Sequence, residues 1–285
     1  MAGIKDLRAT TPQQPAIGED DFRTRLRRFT PARIGLGRVG ASLPTDALLD
    51  FELAHARARD AVHAPFAAEA LARGLRDGGF GDPPIVSSQA RDRMEYLLRP
   101  DLGRRLDPGS RERLRNARRP GTLAIVVADG LSAIAPGRHA IPFLNAWRTG
   151  EVPTSEGRGN VTVVVANRAR VALGDEIGEL LAAEAVVVLI GERPGLSSPD
   201  SLGIYLTWGP RAGRTDADRN CISNVRPEGL PYRDAARRLR YLLSAARLLR
   251  SSGIALKDDS EAGDERGLAS LSGDKKTKIG AKSLK

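Results

Sequence analysis

The stretch "AVVVLIGERPGLSSPDS", residues 185–201, indicates the fold more directly than any other part of the sequence. It begins with an uninterrupted apolar run, residues 185–190, which is typical of a strand buried on both faces of a sheet. The run ends at Gly191, and Glu192 and Arg193 follow directly. Polar residues at the end of a buried strand indicate either an exposed turn with a local ion pair or a ligand-binding edge, and position alone favours neither.

Similar segments surround this stretch and predict an α/β fold. Strands are predicted for "TLAIVVADG" (122–130), "VTVVVA" (161–166) and "GIYLTW" (203–208), and helices for "HAIPFLNAWR", "GDEIGELL" and "LPYRDAARRLRYLLSAARLLRSSG". Strands without alternation, separated by helices, indicate a mostly parallel sheet with helices on both faces. Ligands of such sheets bind outside the carboxyl ends of the strands, where the turns begin at Asp129, Asn167 and Gly191.

The chain is predicted to have four parts. Residues 1–20 are polar and predict a flexible arm, and residues 21–115 predict a mainly helical N-terminal region with helices near 45–63 and 66–75. Within that region "RPDLGRRLDPGS" (99–110) predicts a loop with turns. Residues 116–256 form the predicted α/β domain. Residues 257–285 are rich in Gly, Ser, Asp and Lys and predict a disordered tail.

Composition narrows the possible partners and compartments. The 45 basic and 35 acidic residues give a net charge of +10, which favours an anionic partner. However, no nucleic-acid module is recognisable, so no nucleic-acid partner is expected. The single cysteine, Cys221, excludes a disulfide within the chain and a Cys-rich metal site. With no signal core and no long apolar run, the sequence predicts a cytoplasmic protein that does not enter a membrane.

Motifs that could carry chemistry on their own are weak. "GLGRVG" (35–40) matches a dinucleotide-binding pattern, but a poor strand precedes it and Pro44 delays the next helix, so a glycine-rich connector is favoured. His55, His63 and His139 lack metal-ligand spacing. Cys221 has no neighbouring base in the sequence. The residues therefore predict an α/β ligand-binding subunit whose chemistry comes from a cofactor, another chain or both.

Six segments, in order and without large gaps between about residues 22 and 256, together resemble the small (light) subunit of ethanolamine ammonia-lyase. They are "LRRFTPARIGLGRVGASLPTDALLDFELAHARARDAVH", "RPDLGRRLD", "VVADGLSA", "RVALGDEIGELL", "LIGERPGLSSPDSLGIYLTW" and "DRNCISNVRPEGL". The resemblance implies a Rossmann-like α/β unit that binds adenosylcobalamin at an interface with a large catalytic subunit. It also implies a hetero-oligomer with six copies of each chain. The cytoplasm is the expected location, with a bacterial microcompartment as the alternative.

The same resemblance implies the reaction and three cofactor contacts. Ethanolamine is converted to acetaldehyde and ammonia by radical chemistry, and this chain is expected to supply no catalytic residue and no metal ligand. The motifs "ARVALGDE", "GERPG" and "RNCISN" place the cobalamin contacts at Val171, Glu192 and Cys221. Val171 follows the second predicted strand, Glu192 follows the third, and Cys221 is expected in the loop after the fourth, so the sheet could bring all three to one edge. No D-x-H-x-x-G pattern is present, so the cobalt is expected to keep the cofactor's own base. A nicotinamide-dependent oxidoreductase, suggested by "GLGRVG", is the alternative.

Overall fold

A computed structural model describes residue 22 and residues 25–30, 32–116, 123–149 and 161–260. The predicted arm, residues 1–20, lies outside these residues, as does nearly all of the predicted tail. Contacts between Cα atoms divide the chain into two units, residues 1–55 and 56–285. The predicted limits at residues 115 and 256 remain a prediction.

The first unit has almost no core of its own. Helix α1, Thr45–His63, begins in it and continues past its boundary, as the apolar spacing predicts. Before α1 the chain makes a tight turn in which Val39 and Ser42 pair around Gly40. Ala54 is the sole buried residue among the described residues up to residue 55. The larger apolar side chains of the first unit are therefore mostly exposed.

The second unit alternates helices and strands. Its elements are α2 (Ala68–Asp77), β1 (Ile85–Ser87), α3 (Arg93–Leu98), α4 (Pro108–Asn116), β2 (Leu123–Ala128), α5 (Ile134–Thr149), β3 (Val161–Asn167), α6 (Leu173–Leu180), β4 (Ala185–Gly191), β5 (Leu202–Trp208), β6 (Arg219–Val225) and α7 (Tyr232–Leu249). All predicted strands and helices of this unit are present. The segment predicted as a loop, 99–110, also contains the first turn of α4.

The six strands form one sheet in the order β1-β3-β2-β4-β5-β6. Strands β1, β3, β2 and β4 are parallel, and the carboxyl ends of β2, β3 and β4 meet at one edge, because Ala128 pairs with both Ala166 and Ile190. Strand β5 runs antiparallel to β4, and β6 runs antiparallel to β5. The prediction of a mostly parallel α/β sheet preceded by a helical region is confirmed.

Helices cover both faces of the sheet and create two apolar layers. The first layer lies under α2, α5 and α7 and includes Leu75, Phe143 and Leu242. The second layer lies under α4 and α6 and includes Leu114 and Ile177. Burial of these aliphatic side chains is the main stabilising contribution, at about 25 cal/mol per Å² of apolar surface.

The second face is left partly open over β5 and β6. On β6, Ile222 and Val225 are buried in the first layer, whereas Cys221, Ser223 and Asn224 are exposed. This overturns the prediction that Cys221 lies in a loop after the fourth strand. The physical reason is that most of β6 has only one covered face, so it mixes polar and apolar residues and lacks the apolar run of a buried strand.

Candidate functional site

The carboxyl edge of the parallel strands is organised by Asp129, which is buried directly after β2. One oxygen of its carboxylate accepts hydrogen bonds from the backbone N–H groups of Ala169, at 2.9 Å, and Gly130, at 3.0 Å. The other oxygen accepts from the guanidinium of Arg93, at 3.3 Å. Burial raises the pKa of Asp129, although these donors oppose the rise. The carboxylate thus joins the turns after β2 and β3 to helix α3.

Val171 lies in the turn between β3 and α6, as predicted. A hydrogen bond stabilises the turn, because the Tyr96 hydroxyl donates to the carbonyl of Ala169 at 3.1 Å. The guanidinium of Arg170 stacks on the Tyr96 ring at 4.3 Å. Val171 is half-buried and packs against the second apolar layer. Its side chain therefore lies on the α6 side of the sheet.

Glu192 follows β4, at the edge where the structure brings the strand ends together. Its side chain is half-buried and turns back over the sheet, toward Gly203 of β5. The hydroxyls of Ser201 and Ser223 donate to its carboxylate, the latter at 2.6 Å, and the backbone N–H of Asn224 donates at 3.2 Å. Glu192 therefore does not form a local ion pair with Arg193. It connects the end of β4 to β5 and β6.

The loop after Glu192 is anchored at its far end by Asp200. The Asp200 carboxylate accepts from Arg138 at 3.0 Å and contacts Nε2 of His139 at 3.2 Å. Burial opposes ionisation here, but the hydrogen bonds from Arg138 and His139 outweigh it and hold the pKa of Asp200 below its usual value. The other ring nitrogen of His139 contacts the Tyr232 hydroxyl at 2.8 Å. Both nitrogens of His139 are thus engaged within the protein.

Cys221 lies within β6, directly opposite Tyr205 of β5. The thiol and the Tyr205 hydroxyl form a hydrogen bond. Although Cys221 is exposed as a residue, partial burial of its thiol beside Tyr205 raises the thiol's pKa, the Tyr205 hydrogen bond opposes that rise, and the nearby Glu192 carboxylate adds to it. The thiol is therefore neutral at physiological pH, which is the wrong state for a nucleophile.

The three predicted contact residues share one face of the sheet. Tyr205 packs against the same apolar layer as Val171, and Cys221 pairs with Tyr205. Glu192 reaches over Gly203, on that same side of β5. We call the surface formed by Tyr205 and Cys221 the open face. Glu192 borders it at the carboxyl edge of the sheet.

Comparison with known proteins identifies the family. The family described as "Ethanolamine ammonia-lyase light chain (EutC)" matches residues 20–257. The chain is 58% identical over 240 residues to the ethanolamine ammonia-lyase small subunit of Azotobacter vinelandii, covering 83% of this chain and 88% of that protein. It is 58% identical to the Pseudomonas aeruginosa small subunit, with 83% and 87% covered, and 53% identical to that of Pseudomonas putida, with 90% and 92% covered.

The chain belongs to the ethanolamine ammonia-lyase small-subunit family. It is therefore a subunit of a lyase, and the family resemblance seen in the sequence is confirmed. The word "small" in the names of its relatives implies a larger partner subunit.

The structure does not support the other kinds of site that the sequence could have carried. Among the described residues around "GLGRVG", no strand precedes the glycines, and the next helix, α1, begins only at Thr45. In the described parts of the chain, no three His, Cys, Asp or Glu side chains are grouped as metal ligands. None of the helices within those parts is both long and apolar enough to cross a bilayer.

Sequence reasoning missed the residues that surround Glu192. Ser201, Gly203, Ser223 and Asn224 contact or border its carboxylate, and none of them was singled out. A weak signal for part of this set was present in "CISNV", because the apolar residues Ile222 and Val225 are separated there by polar ones, which suits a strand with one open face. The sequence carried no comparable signal for Ser201.

Proposed function

We propose that this chain binds adenosylcobalamin against the open face and so completes an ethanolamine ammonia-lyase that converts ethanolamine to acetaldehyde and ammonia. The observation that supports this most strongly is the position of the Glu192 carboxylate, fixed at the border of an uncovered sheet surface. Val171 and Cys221, the other two contacts implied by the family, lie on the same side of the sheet.

The chemistry of this surface fits a corrin, which is a broad ring with peripheral amide groups. The Glu192 carboxylate is an acceptor for amide N–H groups, and hydrogen bonds to a charged acceptor are among the strong ones. Val171 and Cys221 offer small apolar contacts. Because Gly203 has no side chain, the Glu192 carboxylate lies low over the sheet, and a Cβ at position 203 would be 2.9 Å from its Oε1 atom.

The role of this chain is to position the cofactor and exclude water. When bound, adenosylcobalamin supplies the radical, and the large subunit holds ethanolamine. The residues of this chain bind the ring periphery, and we assign none of them a catalytic role. His139, with both nitrogens bonded to Tyr232 and Asp200, is a poor candidate for a cobalt ligand, which supports retention of the cofactor's own base.

Substitution of Glu192 tests this proposal. In the complex with the large subunit, Glu192→Ala should weaken cyanocobalamin binding about 10-fold to 100-fold, because a charge-assisted hydrogen bond contributes about 1.5–3 kcal/mol. Absorbance titration of the cofactor-free complex measures the affinity. The matched control is Glu184→Ala, at the opposite end of β4, where the side chain is exposed.

The two variants must differ for the proposal to stand. Equal affinities for Glu192→Ala, Glu184→Ala and the unaltered chain would remove Glu192 from the cofactor site. A thermal unfolding curve recorded on each preparation separates loss of binding from loss of folding.

We also propose that the large subunit covers the first unit. Ten large apolar side chains between residues 22 and 53 are exposed, including Phe29, Val39, Leu49 and Leu53. Monomeric proteins rarely leave so much apolar surface in contact with water, so this segment is typical of an interface. Arginines intersperse it, and Arg33 stacks on Phe51 at 5.9 Å. An apolar partner surface with acidic groups around it fits this composition.

Replacing Leu49 with Asp should lower co-purification of the large subunit more than about 10-fold, because a charge would be buried in the interface. The measurement is size-exclusion chromatography of the co-expressed chains. Ile254→Asp is the control, since Ile254 is another exposed aliphatic residue but lies outside this segment. Intact assembly with Leu49→Asp would place the interface elsewhere. The same experiment reports the stoichiometry, for which we propose six of each chain in a cytoplasmic complex.

A further inference from the structure

The Glu192 carboxylate is held from three directions. Ser201 donates from the residue before β5, Ser223 donates from β6 to Oε1 at 2.6 Å, and the N–H of Asn224 donates to Oε2 at 3.2 Å. The Ser201 hydroxyl donates to Oε2, and the Ser201 carbonyl accepts from the backbone N–H of Glu192 at 3.0 Å. The side chain and the backbone of Glu192 are thus both tied to Ser201.

The backbone of Asn224 is itself fixed. It has a φ of 58°, in the left-handed region that asparagine tolerates better than most residues. Its carbonyl accepts from the N–H of Leu230 at 2.7 Å, and its side-chain oxygen accepts from Arg226 at 3.0 Å. The N–H that Asn224 presents to Glu192 therefore belongs to a closed turn and not to a free chain end.

A carboxylate can accept about four hydrogen bonds, two on each oxygen. The protein uses two on Oε2 and one on Oε1, which leaves one acceptor position on Oε1. Glycine at position 203 allows the carboxylate to lie this close to β5, since a Cβ there would lie 2.9 Å from Oε1 and 3.0 Å from the Cγ of Glu192. The carboxylate thus has one orientation and one free acceptor position.

We infer that Ser201 and Ser223 are positioning residues that fix Glu192 before the cofactor arrives, so that Oε1 accepts one amide N–H from the corrin periphery. This inference rests on the proposed function. A glutamate side chain that is already ordered does not lose rotamer freedom on binding. Avoiding this entropy cost makes binding modestly tighter.

Ser223 is the sharper test residue because its side chain lies on the exposed part of β6, where loss of a hydroxyl should not prevent folding. In the complex with the large subunit, Ser223→Ala should weaken cyanocobalamin binding about 3-fold to 10-fold. Ser223→Thr keeps the hydroxyl and should restore most of the affinity. Ser201→Ala should act in the same direction, and Ser244→Ala, on the exposed side of α7, should have no effect.

A double-mutant cycle separates positioning from direct contact. If Ser223 acts through Glu192, adding Ser223→Ala to Glu192→Ala should change the dissociation constant no further. A further loss of affinity in the double variant would show that Ser223 contacts the cofactor itself and would overturn the inference. The KM for adenosylcobalamin should rise in Ser223→Ala while kcat stays unchanged, because Ser223 does not take part in the chemical step.

The outcomes for this inference and for the proposed function are distinct. If Glu192→Ala weakens binding but Ser201→Ala and Ser223→Ala do not, the inference is wrong and the proposed function stands. If Glu192→Ala leaves the affinity unchanged, the assignment of Glu192 to the cofactor site is wrong, and the inference that rests on it is wrong as well. A loss of affinity in all three variants, with none in Ser244→Ala, supports both.

Discussion

Replacing Asp175 with alanine should lower the free energy of unfolding by about 3–5 kcal/mol, because it leaves a buried guanidinium without its main partner. Asp175 of α6 accepts a hydrogen bond from Arg219 at the start of β6. The exposed fractions of the two side chains are 2% and 3%, so water cannot replace the lost carboxylate. Urea unfolding of the purified chain, followed by circular dichroism, measures the change.

The structure supplies a matched control on the same arginine. Arg219 also pairs with Asp216 at 2.8 Å, but the Asp216 side chain is fully exposed. Asp216→Ala should therefore change the free energy of unfolding by less than about 0.5 kcal/mol, as expected of a surface ion pair. Similar effects from the two substitutions would mean that burial of Asp175 does not govern the contribution of this pair.

The pair also joins the amino end of β6 to helix α6, which packs on the second face of the sheet. Arg219 lies at the amino end of β6, and Cys221 and Ser223, further along the same strand, are exposed. The open face therefore depends on a buried contact that lies outside it. We expect Asp175→Ala to weaken cofactor binding indirectly, through loss of folded chain.

The sequence predicted the central strands because their burial leaves a simple pattern. Residues 185–190 and 163–166 are apolar without alternation, which is what burial on both faces produces. The same reasoning located the carboxyl edge at Asp129, Asn167 and Gly191. Strand β1 was missed because three residues, Ile85–Ser87, are too short to show a period.

The direction of β5 could have been inferred but was not. Parallel neighbours need a crossover of a dozen or more residues, usually with a helix. The connection from β4 to β5, residues 192–201, contains Pro194 and Pro199 and no helix, which favours an antiparallel return. The position of Cys221 depends on the same topology. Only a strand that returns antiparallel beside β5 brings Cys221 toward Glu192.

The contacts of Glu192 could not be predicted because they depend on register. Ser201 and Ser223 lie far apart in the sequence and meet only when β5 and β6 are paired as observed, with an irregularity between Leu202 and Ile204. A shift of one residue would turn Ser223 to the other face of the sheet. The pattern of a single sequence does not determine strand register to within one residue. The sequence therefore indicated Glu192 but not the residues that donate to its carboxylate.

Gly191→Ala should lower the free energy of unfolding at least as much as Asp175→Ala, because the new methyl group would clash with backbone atoms that cannot rotate away. A Cβ at position 191 would lie 2.0 Å from the carbonyl oxygen of Ser132 and 2.6 Å from that of Asp129. The turn after β2 would have to separate from β4, which breaks the hydrogen bond from the N–H of Leu131 to the carbonyl of Gly191. We expect a loss of at least about 3 kcal/mol in the free energy of unfolding.

Gly137→Ala provides the control within the same region of the chain. Gly137 lies in α5, is exposed, and has no atom within 4 Å of the position that a Cβ would occupy. Alanine favours helices by about 1 kcal/mol over glycine, so this variant should be as stable as the unaltered chain or more stable. If Gly191→Ala folds with equal stability, the close approach of the two turns is not required. In that case the placement of Glu192, the next residue, must depend on the hydrogen bonds that its carboxylate accepts from Ser201, Ser223 and Asn224.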